Sequence, residues 1–234
     1  MTKPICVITG VGDGTGAALV RRFAKGGYRV AMIARNRERL SELQQEVAAA
    51  HAYVCDVSDL TALSEVIRQI RTEMGTPQVL IHNAVAASFK TFLEADAREL
   101  EHNFRVNTTA LYTLARELAP AMVDAGSGAI LVTGNTAALR GIPGYAAFAP
   151  TKAAQRILAQ SLARDLGPKG VHVAYITIDA AIDTPWTRDV FNRDKPDDFF
   201  SLQADIADEA FHIARQPRST WSFDVEIRPF GERW

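Results

Sequence analysis

The sequence contains little of what marks a disulfide-bonded, metal-binding or membrane protein. Its two cysteines, Cys6 and Cys55, lie in apolar runs, and no metal-ligand spacing connects them to the five histidines. We interpret both as buried hydrophobic residues in a reducing compartment and expect no metal site. No apolar run is long enough to span a bilayer, so we expect no membrane partner. The first predicted strand begins close to Met1 and leaves no room for a signal peptide, which favours a cytoplasmic protein.

An excess of one charge is also lacking. The 26 lysines and arginines nearly balance the 27 aspartates and glutamates, and the formal net charge is −1. The basic residues are scattered rather than gathered in a stripe, which argues against nucleic acid as a partner. The chain has 234 residues, of which 47% are hydrophobic, enough for one large core. Because the sequence shows no linker, repeat or low-complexity segment, we predict a single domain over residues 1–234.

A run of glycines near the start of the chain is the most informative motif. Thr9-Gly10-Val11-Gly12-Asp13-Gly14-Thr15-Gly16 stands between an apolar stretch and a helical pattern. Strand, glycine turn and helix together are typical of a dinucleotide-binding site. Gly10 permits a tight turn, Gly14 lets the backbone approach a pyrophosphate, and Gly16 lets the helix pack close to the sheet. Since amides at a helix start attract phosphate, we assign cofactor binding to Gly10, Asp13, Gly14, Thr15 and Gly16.

Strand-like and helix-like patterns alternate along the rest of the chain. Strands are predicted over residues 5–8, 29–34, 52–56, 79–83, 129–133, 171–178 and 224–228. Helices are predicted over residues 17–23, 37–50, 59–74 and 96–123, with a further long helix that ends near 166. This alternation predicts an α/β fold, a Rossmann-like doubly wound parallel sheet of about seven strands with helices on both faces. Ligands of such sheets bind beyond the carboxyl ends of the strands, so we expect one crevice there.

The residues after the second strand indicate which dinucleotide binds. An acidic residue there would hold a ribose 2′-hydroxyl and favour NAD, but the sequence has Ala34-Arg35-Asn36-Arg37. A guanidinium can hold a 2′-phosphate through two hydrogen bonds. The pattern therefore favours NADP(H) over NAD(H), bound through Arg35 and Asn36. The alternative is that Arg35 and Arg37 only solvate a helix start, and Asp13 argues against an extra phosphate in the same loop.

Together these positions make the chain similar to the short-chain dehydrogenase/reductase superfamily, over nearly its whole length. Besides the glycine loop, the likeness rests on Asp56-Val57, Asn83-Ala84, Asn107, Lys152 and Ile182-Asp183-Thr184-Pro185. The resemblance implies that the pair 56–57 contacts adenine and that the pair 83–84 lies along the adenosine ribose. It also implies that Ile182 and Thr184 hold the nicotinamide amide. A small-molecule substrate and a homodimer or homotetramer are implied as well.

The same resemblance implies a catalytic set of Asn, Ser, Tyr and Lys, in which Tyr and Lys are four residues apart. The Lys stands near the nicotinamide ribose and activates the phenol, which exchanges a proton with the substrate as hydride moves. Asn107 and Lys152 match this set. The phenol position is Phe148, which has no proton to give, and the Ser position is Asn135, whose amide can still hydrogen-bond to an oxyanion. We therefore interpret the chain as a divergent member that lacks the usual Tyr and Ser.

Tyr145 is the alternative acid. It stands seven residues before Lys152, about two helical turns, so both would lie on one face of a helix. The spacing is similar to that in enoyl-acyl-carrier-protein reductases, which reduce a C=C bond. The competing interpretation is that Tyr145 and Phe148 pack as an aromatic pair at a helix start. Three functions stay open: an NADP(H)-dependent oxidoreductase for a small carbonyl, alcohol or activated alkene; a cofactor-binding sensor or partner subunit without turnover; and a lyase or isomerase.

Overall fold

A parallel sheet forms the centre of the computed structural model, which describes residues 3–191 and 195–231. The strands are β1 (Ile5–Thr9), β2 (Arg29–Ala34), β3 (Ala50–Val54), β4 (Val79–His82), β5 (Gly128–Asn135), β6 (Val171–Ile178), β7 (Ala181–Ile182), β8 (Phe200–Ser201) and β9 (Asp224–Ile227). Seven of them form one sheet in the order β3-β2-β1-β4-β5-β6-β9. Every neighbouring pair in it is parallel, and β7 pairs with β8 separately. The predicted Rossmann-like fold is confirmed.

Helices cover both faces of this sheet. They are α1 (Thr15–Lys25), α2 (Arg37–Glu46), α3 (Leu60–Glu73), α4 (Ala97–Phe104), α5 (Ala110–Asp124), α6 (Ala149–Leu166), α7 (Pro185–Phe191) and α8 (Gln203–Ala214). Successive strand residues point to opposite faces. Ile5 and Val7 therefore pack in the layer of α3, α5 and α6, whereas Cys6 and Ile8 pack in the layer of α1, α2 and α8.

Three predicted boundaries were wrong, each for a local reason. The helix predicted over residues 37–50 ends at Glu46, because Val47 is extended and Ala50 already pairs with Val30 in the sheet. The third strand is accordingly Ala50–Val54 rather than residues 52–56, and Asp56 lies in the turn that follows, where its Oδ1 accepts from the Ser58 amide. The helix predicted over 96–123 is divided into α4 and α5 by a π-helical turn, Arg105–Thr109.

Both cysteines are buried, as predicted. Burial raises the pKa of the Cys6 thiol well above its usual range and that of Cys55 to about 11. Because the thiolate is the reactive form of cysteine, neither side chain is available as a nucleophile near neutral pH.

Candidate functional site

The carboxyl ends of the strands open into one large cleft. The sheet order reverses at β1, which has β2 on one side and β4 on the other, and ligands of such sheets bind at this point. The cleft has a volume of 1190 Å³, above the ~300–1,000 Å³ of typical small-molecule sites. It therefore has room for a dinucleotide and a small substrate together.

Most of the residues predicted for the site line this cleft. They are Gly10, Gly14, Thr15, Gly16, Arg35, Asn36, Asp56, Val57, Asn83, Ala84, Asn135, Lys152 and Ile182. Four others do not line it within the described chain, namely Asp13, Asn107, Tyr145 and Thr184. The structure thus brings the glycine loop and Lys152 to one cavity, although they are more than a hundred residues apart in sequence.

The glycine loop forms a cradle of bare backbone at the start of α1. Gly10 has φ +70°, and a Cβ there would lie 2.5 Å from the Cα of Ala84. A Cβ on Gly16 would lie 2.5 Å from the carbonyl oxygen of Gly10. The close contact that Gly16 permits is therefore with the glycine loop itself. The first amides of a helix have no intrahelical partner, and the first turn of α1 lines the cleft. This arrangement fits a diphosphate.

Two arginines stand at the cleft edge beside the glycine loop. Arg35 is exposed, and its Nη1 lies 3.9 Å from Oδ2 of Asp56. Arg39, which the sequence analysis missed, lines the cleft and places its Nε 2.5 Å from Oδ1 of Asp13. The negative charge of Asp13 is therefore paired with Arg39. This pairing weakens the case that Asp13 would repel a phosphate in the same loop. The sequence could have indicated Arg39, since it stands only four residues after Arg35, in the predicted helix.

The side chains of Asn36 and Asn83 are occupied by contacts within the protein. Oδ1 of Asn36 accepts from the Arg39 amide at 3.0 Å and caps α2. Nδ2 of Asn83 donates to the Gly10 carbonyl at 2.9 Å, and its Oδ1 accepts from Oγ1 of Thr133 at 3.0 Å. Asn83 thus ties the ends of β1, β4 and β5 together, and positions the cleft wall rather than offering a free amide to it.

Lys152 is a buried amine that lines the cleft, with 1% of its surface exposed. Its Nζ donates to the Thr133 carbonyl at 3.3 Å and to Oε1 of Gln155. Nε2 of Gln155 in turn donates to the Asn107 carbonyl at 2.6 Å. Burial lowers the pKa of the Lys152 ammonium to about 7. A side chain that is normally always charged is therefore divided between its two protonation states near neutral pH.

Asn107 connects neighbouring segments through both its side chain and its backbone carbonyl. Its Nδ2 donates to the Ala86 carbonyl at 2.9 Å and to Oγ1 of Thr151 at 2.8 Å, while its Oδ1 accepts from the Ala86 amide at 2.9 Å. The side chain thus joins the segment after β4 to α6. The π-helical turn that contains Asn107 also places its carbonyl against Gln155.

Tyr145 does not lie on α6, so the one-face argument for it was wrong. The helix begins at Ala149, after a turn in which Gly144 has φ +82°. The ring of Tyr145 packs against Phe89 and Phe148, with centroids 5.1 and 5.8 Å away, which is the predicted aromatic pair. Tyr145 lines a second, mainly apolar groove of 760 Å³ that the loop before α6 forms with residues 91 and 92.

Asn135 and the segment after β6 complete the cleft. Asn135 ends β5, and its buried Oδ1 has no hydrogen-bond partner in the described chain. An orphaned polar atom in a cleft suits a ligand hydrogen bond, since burying it alone costs free energy. Ile182 lines the cleft, whereas Oγ1 of Thr184 accepts from the Thr187 amide at 3.1 Å. The Thr184 methyl would lie 3.1 Å from a Cβ on Gly14, so the residue borders the glycine loop.

The described residues contain neither a membrane-spanning helix nor a cluster of metal-ligating side chains. None of the helices there is both long and apolar enough to cross a membrane. The same residues contain no group of three or more His, Cys, Asp or Glu arranged to hold a metal ion.

Comparison with known proteins places this cleft in context. The family model described as short chain dehydrogenase matches residues 4–195. The chain is 33% identical over 168 residues to 2,3-dihydro-2,3-dihydroxybenzoate dehydrogenase of Bacillus subtilis, covering 69% of this chain and 64% of that protein. It is 33% identical over 174 residues to the cyclic-di-GMP-binding biofilm dispersal mediator protein of Escherichia coli, covering 74% and 70%. A metagenomic short-chain oxidoreductase in complex with NADP superposes with a TM-score of 0.85 at 27% identity, covering 98% of both chains.

Proposed function

Because the chain belongs to the short-chain dehydrogenase family, we propose that it is an NADP(H)-dependent oxidoreductase acting on a small carbonyl, alcohol or activated alkene. The observation that carries this proposal is the buried amine of Lys152 in the same cleft as the glycine cradle. Residues 1–234 would form one NAD(P)-binding Rossmann domain that works in the cytoplasm as a homodimer or homotetramer.

The cleft residues suggest how the coenzyme lies. The glycine cradle and the first turn of α1 would bind the diphosphate, the pair 56–57 the adenine, and the pair 83–84 its ribose. Ile182 and Thr184 would hold the nicotinamide end, close to Asn135 and Lys152. When bound, the coenzyme supplies or accepts hydride. Asn135 would then bind the substrate oxygen at which negative charge develops.

The substitution Arg35→Ala tests the preference for NADPH over NADH. Arg35→Ala is expected to weaken NADPH binding about 10–100-fold, since hydrogen bonds to a charged group are worth about 1.5–3 kcal/mol. NADH affinity should stay within twofold, because NADH has no 2′-phosphate. Isothermal titration calorimetry measures both. Arg37→Ala is the matched control, since Arg37 is exposed two residues after Arg35 and does not line the cleft. Equal affinity of the unmodified protein for NADH and NADPH would contradict the assignment.

The catalytic set departs from that of the resembled family, because Phe148 and Asn135 stand at the Tyr and Ser positions. The substitution Tyr145→Phe tests the alternative hypothesis that Tyr145 is the acid. We expect this variant to keep NADPH oxidation within about twofold, because Tyr145 lines the second groove. General acid catalysis typically contributes about 10²–10⁴-fold. A loss of that size in kcat would identify Tyr145 as the acid.

A coenzyme-binding sensor or partner subunit without turnover is the second candidate. Phe148 favours it, and the Escherichia coli relative is named for binding rather than for a reaction. The discriminating experiment follows NADPH oxidation over a panel of carbonyls and enoyl thioesters. The oxidoreductase proposal expects turnover of at least one class by the unmodified protein. A silent panel, together with NADPH binding and turnover gained by Phe148→Tyr, would instead support the binding function.

A further inference from the structure

We propose that Lys152 itself exchanges the proton with the substrate, and that Gln155 is the positioning residue that holds its Nζ for this task. The inference rests on the proposed oxidoreductase function and deepens it. It assigns to Lys152 the proton transfer that Phe148 has no group to perform.

The hydrogen bonds of Nζ leave one position free for the cleft. The two hydrogen-bond partners of Nζ, the Thr133 carbonyl and Oε1 of Gln155, are acceptors, so Nζ donates two hydrogens to them. A neutral amine satisfies both bonds and keeps its lone pair for the cleft. An ammonium satisfies both and keeps one hydrogen. The same two contacts thus hold the group in both protonation states, as an acid and base must be held.

Gln155 is itself fixed by its surroundings. It is fully buried, and its Nε2 donates to the Asn107 carbonyl. Because a carbonyl can only accept, the amide nitrogen must face Asn107 and the amide oxygen must face Lys152. The Asn107 side chain clamps the segment around Ala86, so this carbonyl is held as well. A rigid acceptor then aims the amine, which favours proton transfer by reducing the reorganisation it needs.

His82, whose pKa is lowered by burial and by the charge of Lys152, is poorly placed to donate the proton. His82 on β4 is fully buried between Oγ1 of Thr9 and the Val106 carbonyl. Burial first, and then the charge of Lys152, lower the pKa of His82 to about 4, so it is neutral at pH 7. Other titratable or charged groups on neighbouring elements include Tyr175 on β6, Arg156 on α6, Arg105 in the π-helical turn, and the cleft residues Lys90, Asp96, Arg98, Glu99 and His102, of which Arg98 is paired with Asp96. Arg156 is paired with Asp224, Glu99 with Lys90, and the Tyr175 phenol is buried with its pKa raised by burial.

The balanced step for a carbonyl is as follows. Bound NADPH would supply the hydride, so that one of its C–H bonds breaks, a C–H bond forms at the substrate carbon and the C=O π bond breaks; NADPH would be oxidised by two electrons and the carbonyl reduced. The Nζ–H bond of Lys152 breaks as an O–H bond forms on the substrate oxygen. The neutral amine then regains a proton from solution, so the net reaction consumes one H⁺. Alcohol oxidation is the reverse, with the amine as the base.

The protonation state of Lys152 gives this step a defined pH dependence. Its ammonium has a pKa near 7 because of burial. Reduction needs the ammonium, so its kcat is expected to fall as pH rises through about 7. Oxidation needs the amine, so its kcat is expected to rise over the same interval.

The test compares the titration of Lys152 with the pH profile of turnover. Lysine-selective 13C/15N NMR of the coenzyme-free protein follows Nζ, and the signal lost in Lys152→Met identifies it. Gln155→Glu puts a carboxylate beside the amine and is expected to raise the NMR pKa and the kcat midpoint together, by about 1–3 pH units. Gln160→Glu is the matched control, because it makes the same change on α6 about 7.5 Å further along the helix than Gln155 and about 12 Å from Lys152. It should move neither value.

The outcomes separate this inference from the proposed function. A Lys152 signal that moves in Gln155→Glu while the kcat midpoint does not would overturn Lys152 as the proton donor and leave the oxidoreductase intact. A signal that does not move would overturn the role of Gln155. Absence of coenzyme binding and turnover would defeat the proposed function, and the NMR titration would still report on Gln155. If Gln155→Glu fails to fold, the unmodified protein decides: a kcat midpoint differing from the NMR pKa of Lys152, both measured with coenzyme bound, overturns the inference.

Discussion

Gly10→Ala is expected to destabilise the folded protein by about 2–5 kcal/mol and to abolish NADPH binding. A φ of +70° costs a residue with a Cβ roughly 1–2 kcal/mol. The new Cβ would also lie 2.5 Å from the backbone of Ala84, and relieving such overpacking costs about 1–3 kcal/mol. Since Gly10 and Ala84 both line the cleft, the shift would deform the cradle itself. Urea denaturation measures the free energy of unfolding, and calorimetry measures NADPH affinity.

Gly12→Ala is the matched control for this substitution. Gly12 belongs to the same loop and lines the same cleft, but the nearest heavy atom to a Cβ there is Nη1 of Arg39, at 4.0 Å. The free energy of unfolding of Gly12→Ala should differ from that of the unmodified protein by less than about 1 kcal/mol, as is usual where no contact is strained. If Gly10→Ala were as stable as Gly12→Ala, the left-handed turn and the close contact with Ala84 would not constrain the loop as described.

Lys152→Met is expected to lower kcat by about 10²–10⁴-fold, the usual contribution of a general acid. Methionine keeps an unbranched side chain in the buried site but has no proton to transfer. NADPH affinity should fall less than tenfold, because the glycine cradle and Arg35 are unchanged. Stopped-flow NADPH oxidation measures kcat, and calorimetry measures affinity.

Lys152→Arg separates charge from proton transfer. Arginine keeps a permanent cation but does not lose its proton in proteins. If the charge of Lys152 were sufficient, Lys152→Arg would recover most of the turnover. We expect it to stay at least about a hundredfold below the unmodified enzyme, as a lost general acid requires. Turnover of Lys152→Met within tenfold of the unmodified enzyme would contradict a proton-transfer role for this residue.

The fold could be predicted from sequence because its signals are local. Strand–helix alternation and the glycine loop depend on neighbouring residues, and both were found as predicted. Helix ends depend on tertiary contacts, so α2 was predicted too long and the π-helical turn at Asn107 was missed. The turn at Gly144 that keeps Tyr145 off α6 was likewise overlooked.

The site could be predicted only in part, because motif spacing is a local signal whereas some of its contacts depend on tertiary packing. Motif spacing located Lys152, and most of the residues that it predicted for the site line the cleft. It did not show that Gln155 would join Lys152 to the Asn107 carbonyl, because that bridge depends on how α6 packs on the π-helical turn. The spacing of Lys152 and Gln155, three residues on one helix, was nevertheless visible, since such residues are neighbours on a helix surface.

The account depends on a dinucleotide lying in this cleft with its nicotinamide near Lys152, and the crystal structure of the protein grown with NADP⁺ tests this directly. The account predicts electron density for the diphosphate against the first turn of α1 and for the 2′-phosphate beside Arg35. It also predicts that Nζ of Lys152 is nearer to nicotinamide C4 than the Tyr145 hydroxyl is. Coenzyme density elsewhere, or none in the cleft at millimolar NADP⁺, would contradict it.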